Sequence, residues 1–388
     1  MKTLRGITWD HPRGFNPMPA SAARFTAEIN PEVRIEWQRR TLHEFGAAPV
    51  DELAKRFDLV VLDHPWAGFI AETECYLPLD SLLPKATQDA LATHSAGPSH
   101  ATYSWNGHQW ALAIDAATPS ASYRPDLLAD LGFSVPTRWD EVLEIGRAAQ
   151  GVGKHLAIPL GPVDAITVFL SLADNICGEP FAGERQVVSR EVGHRVMNSM
   201  RAIAELCAPA TFELTPVSMM DRMSSTDEIV YCPMAYSYNN YSRDGFRPQV
   251  CLYADIPSLA NDGPRGSHIG GTGLAISAQC KHPAEAAQYA SYVASSACQR
   301  GEYFSSGGQP AHSDAWDDPQ INRECHDFFR NTRQTIERAY VRPRYNGYIG
   351  FQYEAGRLIQ LCLRESGDVD ALMKDLDALY QQSLAGGV

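Results

Sequence analysis

Leu4-Arg5-Gly6-Ile7-Thr8-Trp9-Asp10-His11-Pro12-Arg13-Gly14 is a short apolar strand that turns polar at its end and breaks at a proline. Leu59-Val60-Val61-Leu62-Asp63-His64-Pro65-Trp66 repeats the design. Twice, then, an apolar strand delivers Asp-His-Pro at its carboxyl end. In open α/β sheets, ligands bind outside the carboxyl ends of the strands, where the strand order reverses. If the two strands are neighbours, Asp10, His11, Asp63 and His64 line one crevice.

The segments between and around them supply the crossovers. Ser21 to Glu28 reads as a helix that Asn30-Pro31 stops. Val33-Arg34-Ile35-Glu36-Trp37 alternates with period two and is a strand, Asp51-Glu52-Leu53-Ala54 opens a short helix, and Phe57 to Leu62 is the next strand. This β-α-β-α-β order predicts a parallel sheet with right-handed crossovers. Tyr103 to Asp115 reads as a hairpin turning on Asn106-Gly107.

Pro119, Pro125 and Pro136 then punctuate the chain, and Thr137 N-caps a helix that has Asp140 and Glu141 in its first turn. Val168 to Ala173 and Glu191 to Cys207 are helical, and Glu228 to Ala235 is a strand. It runs into Tyr236-Ser237-Tyr238-Asn239-Asn240-Tyr241. Val250 to Tyr253 is a short strand, Gly270-Gly271-Thr272-Gly273 leads into another, and His282-Pro283 opens a long helix. Beyond the loop Ser305 to Pro310, the remainder reads as helix apart from a loop over 340–348.

Composition narrows the function. The 388 residues suggest two or three domain-sized units, with the apolar (44%) and charged (20%) fractions of a globular protein. A net charge of −13, with no Lys/Arg cluster, argues against nucleic-acid binding. No apolar run is long enough to span a membrane. The nine cysteines are scattered, odd in number and without CxxC spacing, so neither structural zinc nor a disulfide framework is expected. Met1-Lys2-Thr3 leads directly into the first strand with no secretory leader pattern, which together with the thiols points to a cytoplasmic chain. A periplasmic protein whose leader has been removed is the alternative.

Four stretches, in this order, resemble the family 1 extracellular solute-binding proteins, the sugar-type receptors of ABC importers. They are Tyr76-Leu77-Pro78-Leu79-Asp80; Asn106-Gly107 through Tyr123, Pro125-Asp126-Leu127-Leu128 and Gly132-Phe133 to Pro136-Thr137-Arg138-Trp139-Asp140-Glu141; Gly270 to Ser277 with Pro283-Ala284-Glu285-Ala286-Ala287 behind it; and Ser306-Gly307-Gly308-Gln309-Pro310. The resemblance implies a two-lobe, periplasmic-binding-protein-like type II α/β fold, each lobe a mainly parallel sheet flanked by helices. It implies lobe one at 1–113 plus 272–313, lobe two at 114–271 plus 314–388, and a ligand cleft between them. Crossings are then expected near 113–116, 268–272 and 313–318. It places the first and third strands side by side, and it implies an ABC permease as partner and no cofactor.

The candidate site residues follow from both readings. Asp10, His11, Asp63 and His64 are suited to hydrogen-bonding a polar ligand or, in the alternative of a cytoplasmic enzyme on the same scaffold, to acid/base chemistry on a small metabolite. Trp9 and Trp66 offer flat faces for a sugar ring or a cation. Arg13 near a helix start, and Arg344 or Arg342 further on, suit an anionic group. Asp115 lies at the first crossing, and Gly271 and Thr272 at the second, where backbone amides approach closely. Tyr236, Tyr238, Asn239 and Asn240 are read as a ligand wall, because six polar or aromatic residues in a row bury poorly. No Gly-x-Ser-x-Gly elbow, P-loop or HExxH occurs, and Cys75 and Cys177 are the thiols to test for a nucleophile. The expected function is capture of a small polar ligand, of sugar or sugar-acid type, by lobe closure, with no metal.

Overall fold

The computed structural model describes residues 1–178, 180–181, 185–260 and 263–386. Its strands are β1 (Lys2–Trp9), β2 (Val33–Arg40), β3 (Leu59–Leu62), β4 (Ser104–Trp105), β5 (His108–Gln109), β6 (Leu112–Ala117), β7 (Pro119–Tyr123), β8 (His155–Leu156), β9 (Ile229–Tyr236), β10 (Leu252–Ala254) and β11 (Gly270–Ile276). The chain divides into two units. Unit 1 is Met1–Ala117, Gly270–Arg323 and Pro343–Asn346; unit 2 is Thr118–Ile269, Glu324–Arg342 and Gly347–Val388. The stretches 113–116 and 313–318 thus lie within unit 1, and the short Pro343–Asn346 return to unit 1 has no counterpart in the sequence reading.

Unit 1 is built on a sheet of order β2-β1-β3-β11-β6. β1 runs parallel to β2 along its whole length, from Lys2 opposite Val33 to Trp9 opposite Arg40, and parallel to β3 through Gly6 and Ile7. The first and third strands are therefore neighbours. β3 is buried at all four residues, as expected of a strand covered on both faces. β11 runs against both β3 and β6, and its ladder slips between Thr272 and Gly273. Gly271, at φ +92, adopts a left-handed conformation there, and a Cβ would stand 2.1 Å from the Asp115 carbonyl oxygen. The Asn106-Gly107 turn has both residues at positive φ, which a two-residue hairpin needs. That hairpin is only β4 and β5; Leu112 onward belongs to the main sheet rather than to a hairpin reaching Asp115.

Unit 2 carries a sheet of order β10-β7-β9-β8. β7 runs against β9 and β10, and β8 runs with β9. In each sheet, then, a single strand is reversed: β11 in unit 1 and β7 in unit 2. Pro233 sits inside β9 without an amide to donate, and the facing β7 ladder slips between Ser120 and Ser122 to absorb it. The helix Pro162–Cys177 is buried along most of its length. The helix Tyr348–Arg364 crosses it closely, since a Cβ on Gly356 would meet the Pro162 carbonyl oxygen.

Several boundaries differ from the sequence reading. Arg138 rather than Thr137 is the N-cap, although the amides of both donate to Glu141. The last quarter of the chain is not one helical run, because His326 and Asp327 at positive φ separate short helices. Helices at Leu42–Ala47 and Lys85–Thr93 were not anticipated. Among the described residues, no helix is long and apolar enough to cross a membrane.

Candidate functional site

In unit 1 the carboxyl ends of β1, β2, β3 and β6 share one edge of the sheet, and most of the residues read from the sequence fall along it. Trp9 is buried, its indole stacked on the His11 ring at 5.4 Å and 13°. Gly14 leaves room for that indole: a Cβ there would stand 2.2 Å from it. His11 caps the helical turn Pro12–Phe15, its Nδ1 accepting the Arg13 amide at 3.1 Å. The cap starts a turn that carries Arg13 inward, where Nε donates to Asp115 Oδ2 at 2.8 Å and Nη2 donates to Oδ1. Both side chains are almost sealed, with exposures of 4% and 1%. Burial pushes the Asp115 carboxyl up, against the pull of Arg13. Asp10, by contrast, points to solvent and pairs with Arg39 at 3.1 Å.

At the end of β3, Asp63 Oδ1 accepts the His64 amide at 2.8 Å and starts the single turn His64–Trp66. The His64 ring is fully buried, 6.1 Å from Tyr103 and edge-on to it. Trp66 is half-buried against Phe69. Thr272 lies across the ladder from Asp115, and its buried hydroxyl has no hydrogen-bond partner among the described residues. Arg344 donates from Nη1 to the carbonyls of Ala101, Thr102 and Ser104, and its guanidinium lies 5.2 Å from the Trp105 ring. Arg342, in unit 2, is buried and donates to Gln352 at 3.0 Å.

The two Asp-His pairs therefore do not present two acids and two bases to one crevice. His11 is committed as a helix cap and His64 is sealed in the core. Among the described residues, these turns offer no exposed imidazole-carboxylate couple, so the acid/base alternative has no support here.

Unit 2 contributes its own strand-end edge. Tyr236, the last residue of β9, stands opposite Pro119 and is only partly buried. With Pro119, Pro159, Met234 and Thr167 it lines a small pocket, which Asp164 enters from the first turn of the helix Pro162–Cys177. Part of the Asp164 surface stays open, but its apolar surroundings push its carboxyl up to about 7. The positive end of the helix opposes that rise and is outweighed. An acid that is about half protonated near neutral pH both donates and accepts hydrogen bonds, as a ligand hydroxyl does.

The run that follows Tyr236 departs from expectation. Ser237, Tyr238, Asn239, Asn240 and Tyr241 are all buried. Polar residues bury when their hydrogen bonds are made. Ser237 donates to Thr118 O, the Tyr238 amide donates to the Tyr253 hydroxyl, Asn239 Oδ1 accepts from Arg243 Nε, and Tyr241 donates to Asp221. Asp164 was missed by the sequence reading. A signal was available: Gly161-Pro162 opens a helix shortly after β8, which puts Asp164 at its third position.

No family model matches the sequence. Solved structures do match, over nearly the whole chain. Maltose-bound MalE3 of T. maritima superposes with a TM-score of 0.82 at 17% identity, over 98% of this chain and 99% of that one. An ABC transporter solute-binding protein of Agrobacterium radiobacter K84, in complex with ribitol, gives 0.82 at 17% identity over 98% of each chain. One from Thermotoga lettingae TMO, bound with α-D-tagatose, gives 0.81 at 15% identity over 98% of this chain and 100% of that one. The protein therefore has the two-lobe α/β fold of sugar-type solute-binding proteins, as the four stretches implied.

Proposed function

We propose that the protein is a solute-binding receptor that captures a small polyhydroxylated ligand by lobe closure and passes it to an ABC importer. The observation that carries this reading is the unit 2 pocket: a raised carboxyl, Asp164, beside the partly buried ring of Tyr236, on a fold whose solved neighbours hold maltose, ribitol and tagatose. A carboxyl that hydrogen-bonds hydroxyls next to a ring that packs on C–H faces is the usual composition of a sugar subsite. The guanidiniums point to a neutral ligand rather than a sugar acid. Arg13 is held by Asp115 and Arg344 by three carbonyls.

Delivery to an importer sets the protein outside the cytoplasm, the second of the two compartments read from the sequence. Nine cysteines without a disulfide favour the first. Thiol counting and cell fractionation of the native protein decide between them.

Binding is tested by calorimetry with neutral sugars, polyols and sugar acids, each mixture then being checked by mass spectrometry. The expected result is saturable binding of a neutral sugar or polyol, recovered chemically unchanged. Asp164→Asn and Tyr236→Ala should each weaken it by about 1–3 kcal/mol, the cost of leaving a buried polar group unmatched or a ring uncovered. Conversion of the ligand, or full affinity in both variants, overturns the reading.

A further inference from the structure

His94 and His312 lie far apart in the sequence, and neither belongs to a metal-binding motif. The fold brings them together in unit 1. The Ala96 amide donates to Ala311 O at 2.8 Å and the Ser313 amide to His94 O at 2.7 Å, a short antiparallel contact centred on Ser95 and His312. It stacks the two imidazole rings at 5.2 Å and 11°. Asp314 stands beside them, one carboxylate oxygen 3.4 Å from His94 Nδ1 and the other 3.7 Å from His312 Nδ1. The three side chains each offer one ligand atom, and these atoms lie within 4.8 Å of one another. His94 and His312 border a cavity that His100 also lines.

We propose that His94, His312 and Asp314 bind a divalent transition-metal ion of the zinc type. Two imidazoles and a carboxylate are a donor set of borderline softness, suited to Zn²⁺ and its first-row neighbours rather than to Ca²⁺ or Mg²⁺. Bonds of about 2.1 Å in a tetrahedral site separate the ligand atoms by about 3.4 Å. The three groups must therefore close by roughly an ångström, which rotation of the half-exposed His94 and Asp314 provides.

The surroundings fit. His312 Nδ1 accepts the Asp314 amide at 3.3 Å, capping the helix Ser313–Asp317, so Nε2 is the ring nitrogen not committed to the cap. Ser296 donates to Asp314 Oδ2 at 2.5 Å, the outer-shell bond that orients a ligating carboxylate. Arg300, the nearby cation, is held by Asp318 through Nε at 2.9 Å and Nη2 at 2.6 Å. Capping accounts for His312, but not for a second imidazole stacked on it. Three metal ligands and an open position, toward the cavity that His100 lines, account for all of them. A bound ion would tie the end of the helix Lys85–Thr93 to the start of Ser313–Asp317. The inference does not rest on the receptor reading.

The test uses the full chain stripped with chelator. Titration with Zn²⁺ should show one saturable equivalent, and Co²⁺ should give visible d–d absorption. His94→Ala removes a half-exposed side chain and should keep the circular dichroism of the wild type while weakening Zn²⁺ by about tenfold or more. Asp314→Asn should act in the same direction. His108→Ala, which removes an exposed imidazole paired with Asp80 elsewhere in unit 1, should leave the affinity unchanged. Zn²⁺ should raise Tm in the wild type and not in His94→Ala. Absence of a saturable equivalent, equal isotherms for wild type and His94→Ala, or an equal loss in His108→Ala would each overturn the proposal.

Discussion

The two Asp-His-Pro turns share a tripeptide and a location, at the ends of neighbouring parallel strands, yet they divide the work in opposite ways. After β1 the histidine caps: His11 accepts the Arg13 amide and Asp10 is left to solvent and Arg39. After β3 the aspartate caps: Asp63 accepts the His64 amide and the imidazole is driven into the core against Tyr103. What differs is the turn that follows. A longer turn after His11 places Arg13 where it reaches Asp115, whereas the tight turn after Asp63 folds the ring beneath it. The same residues in the same pattern thus serve one requirement, satisfying the first amide of a helical turn. Their pairing in the sequence is as much a folding signal as a functional one.

The comparison breaks first at Arg13. If the cap at His11 serves to aim that guanidinium, Arg13→Met leaves Asp115 buried without its partner. Stability should then fall by about 3–5 kcal/mol, read from urea unfolding. The double variant Arg13→Met/Asp115→Leu should recover most of the loss. A single variant as stable as wild type would mean that the β1 turn carries no such burden.

Unit 2 supplies the next test, since there a carboxyl at the start of a helix has no paired cation among the described residues. Asp164 has its folded pKa raised from 3.8 to about 7, so the folded state holds a proton that the unfolded state loses. Below about pH 4 both states are protonated and nothing is lost. Between pH 4 and 7 stability falls as pH rises, and above 7 the penalty is constant. At roughly 1.4 kcal/mol for each tenfold change in proton affinity the full shift is worth about 4 kcal/mol, and water at the open part of the carboxyl lowers the expected loss to about 2–4 kcal/mol. Asp164→Asn should remove that slope, so the stability difference between variant and wild type must grow in favour of the variant from pH 4 to pH 7. A pH-independent difference would place the carboxyl in water.

The fold was legible because its signals are local and repeated. Apolar strands broken by proline, the Asn106-Gly107 turn and the Gly-rich start of β11 each act through backbone conformation, which neighbouring residues determine. The strand-end positions were legible for the same reason. What those side chains do there was not. Whether Arg13 meets a ligand or Asp115 depends on residues about a hundred positions apart. Whether Tyr238 and Asn239 bury depends on Tyr253 and Arg243 supplying their hydrogen bonds. Asp164 carries its signal in an apolar surrounding drawn from several elements, and His94 meets His312 only through a contact between distant loops. Sequence pattern reports which residues reach an edge; long-range packing decides which of them remain available.

The imidazoles sharpen the comparison further. His64→Ala opens a cavity beneath Tyr103 and should lose about 2–3 kcal/mol, as truncation of a buried ring does. His11→Ala removes a cap and part of a stacked contact, and should lose about 1 kcal/mol. If the two losses, measured by urea unfolding, are equal, the assignment of one ring to the core and the other to a cap is wrong.

The carboxylates give the smallest effect and the cleanest inversion. Asp63 holds the His64 amide and also stands 3.1 Å from the buried His64 Nδ1, so Asp63→Ala should lose about 1 kcal/mol at any ionic strength, because both contacts are short-ranged and shielded from solvent by the turn. Asp10 meets Arg39 in water, where an exposed pair contributes about 0.5 kcal/mol or less. Its backbone amide bond to Arg40 O survives substitution. Asp10→Ala should therefore be nearly silent at low salt and indistinguishable from wild type at about 1 M, where the Debye length is about 3 Å. After β1 the histidine should matter modestly and the aspartate least, while after β3 both residues are felt. Unfolding of the four alanine variants in low and high salt measures it directly. A salt-sensitive loss at Asp63, or a salt-insensitive loss of about 1 kcal/mol at Asp10, would mean that the two turns are built alike after all.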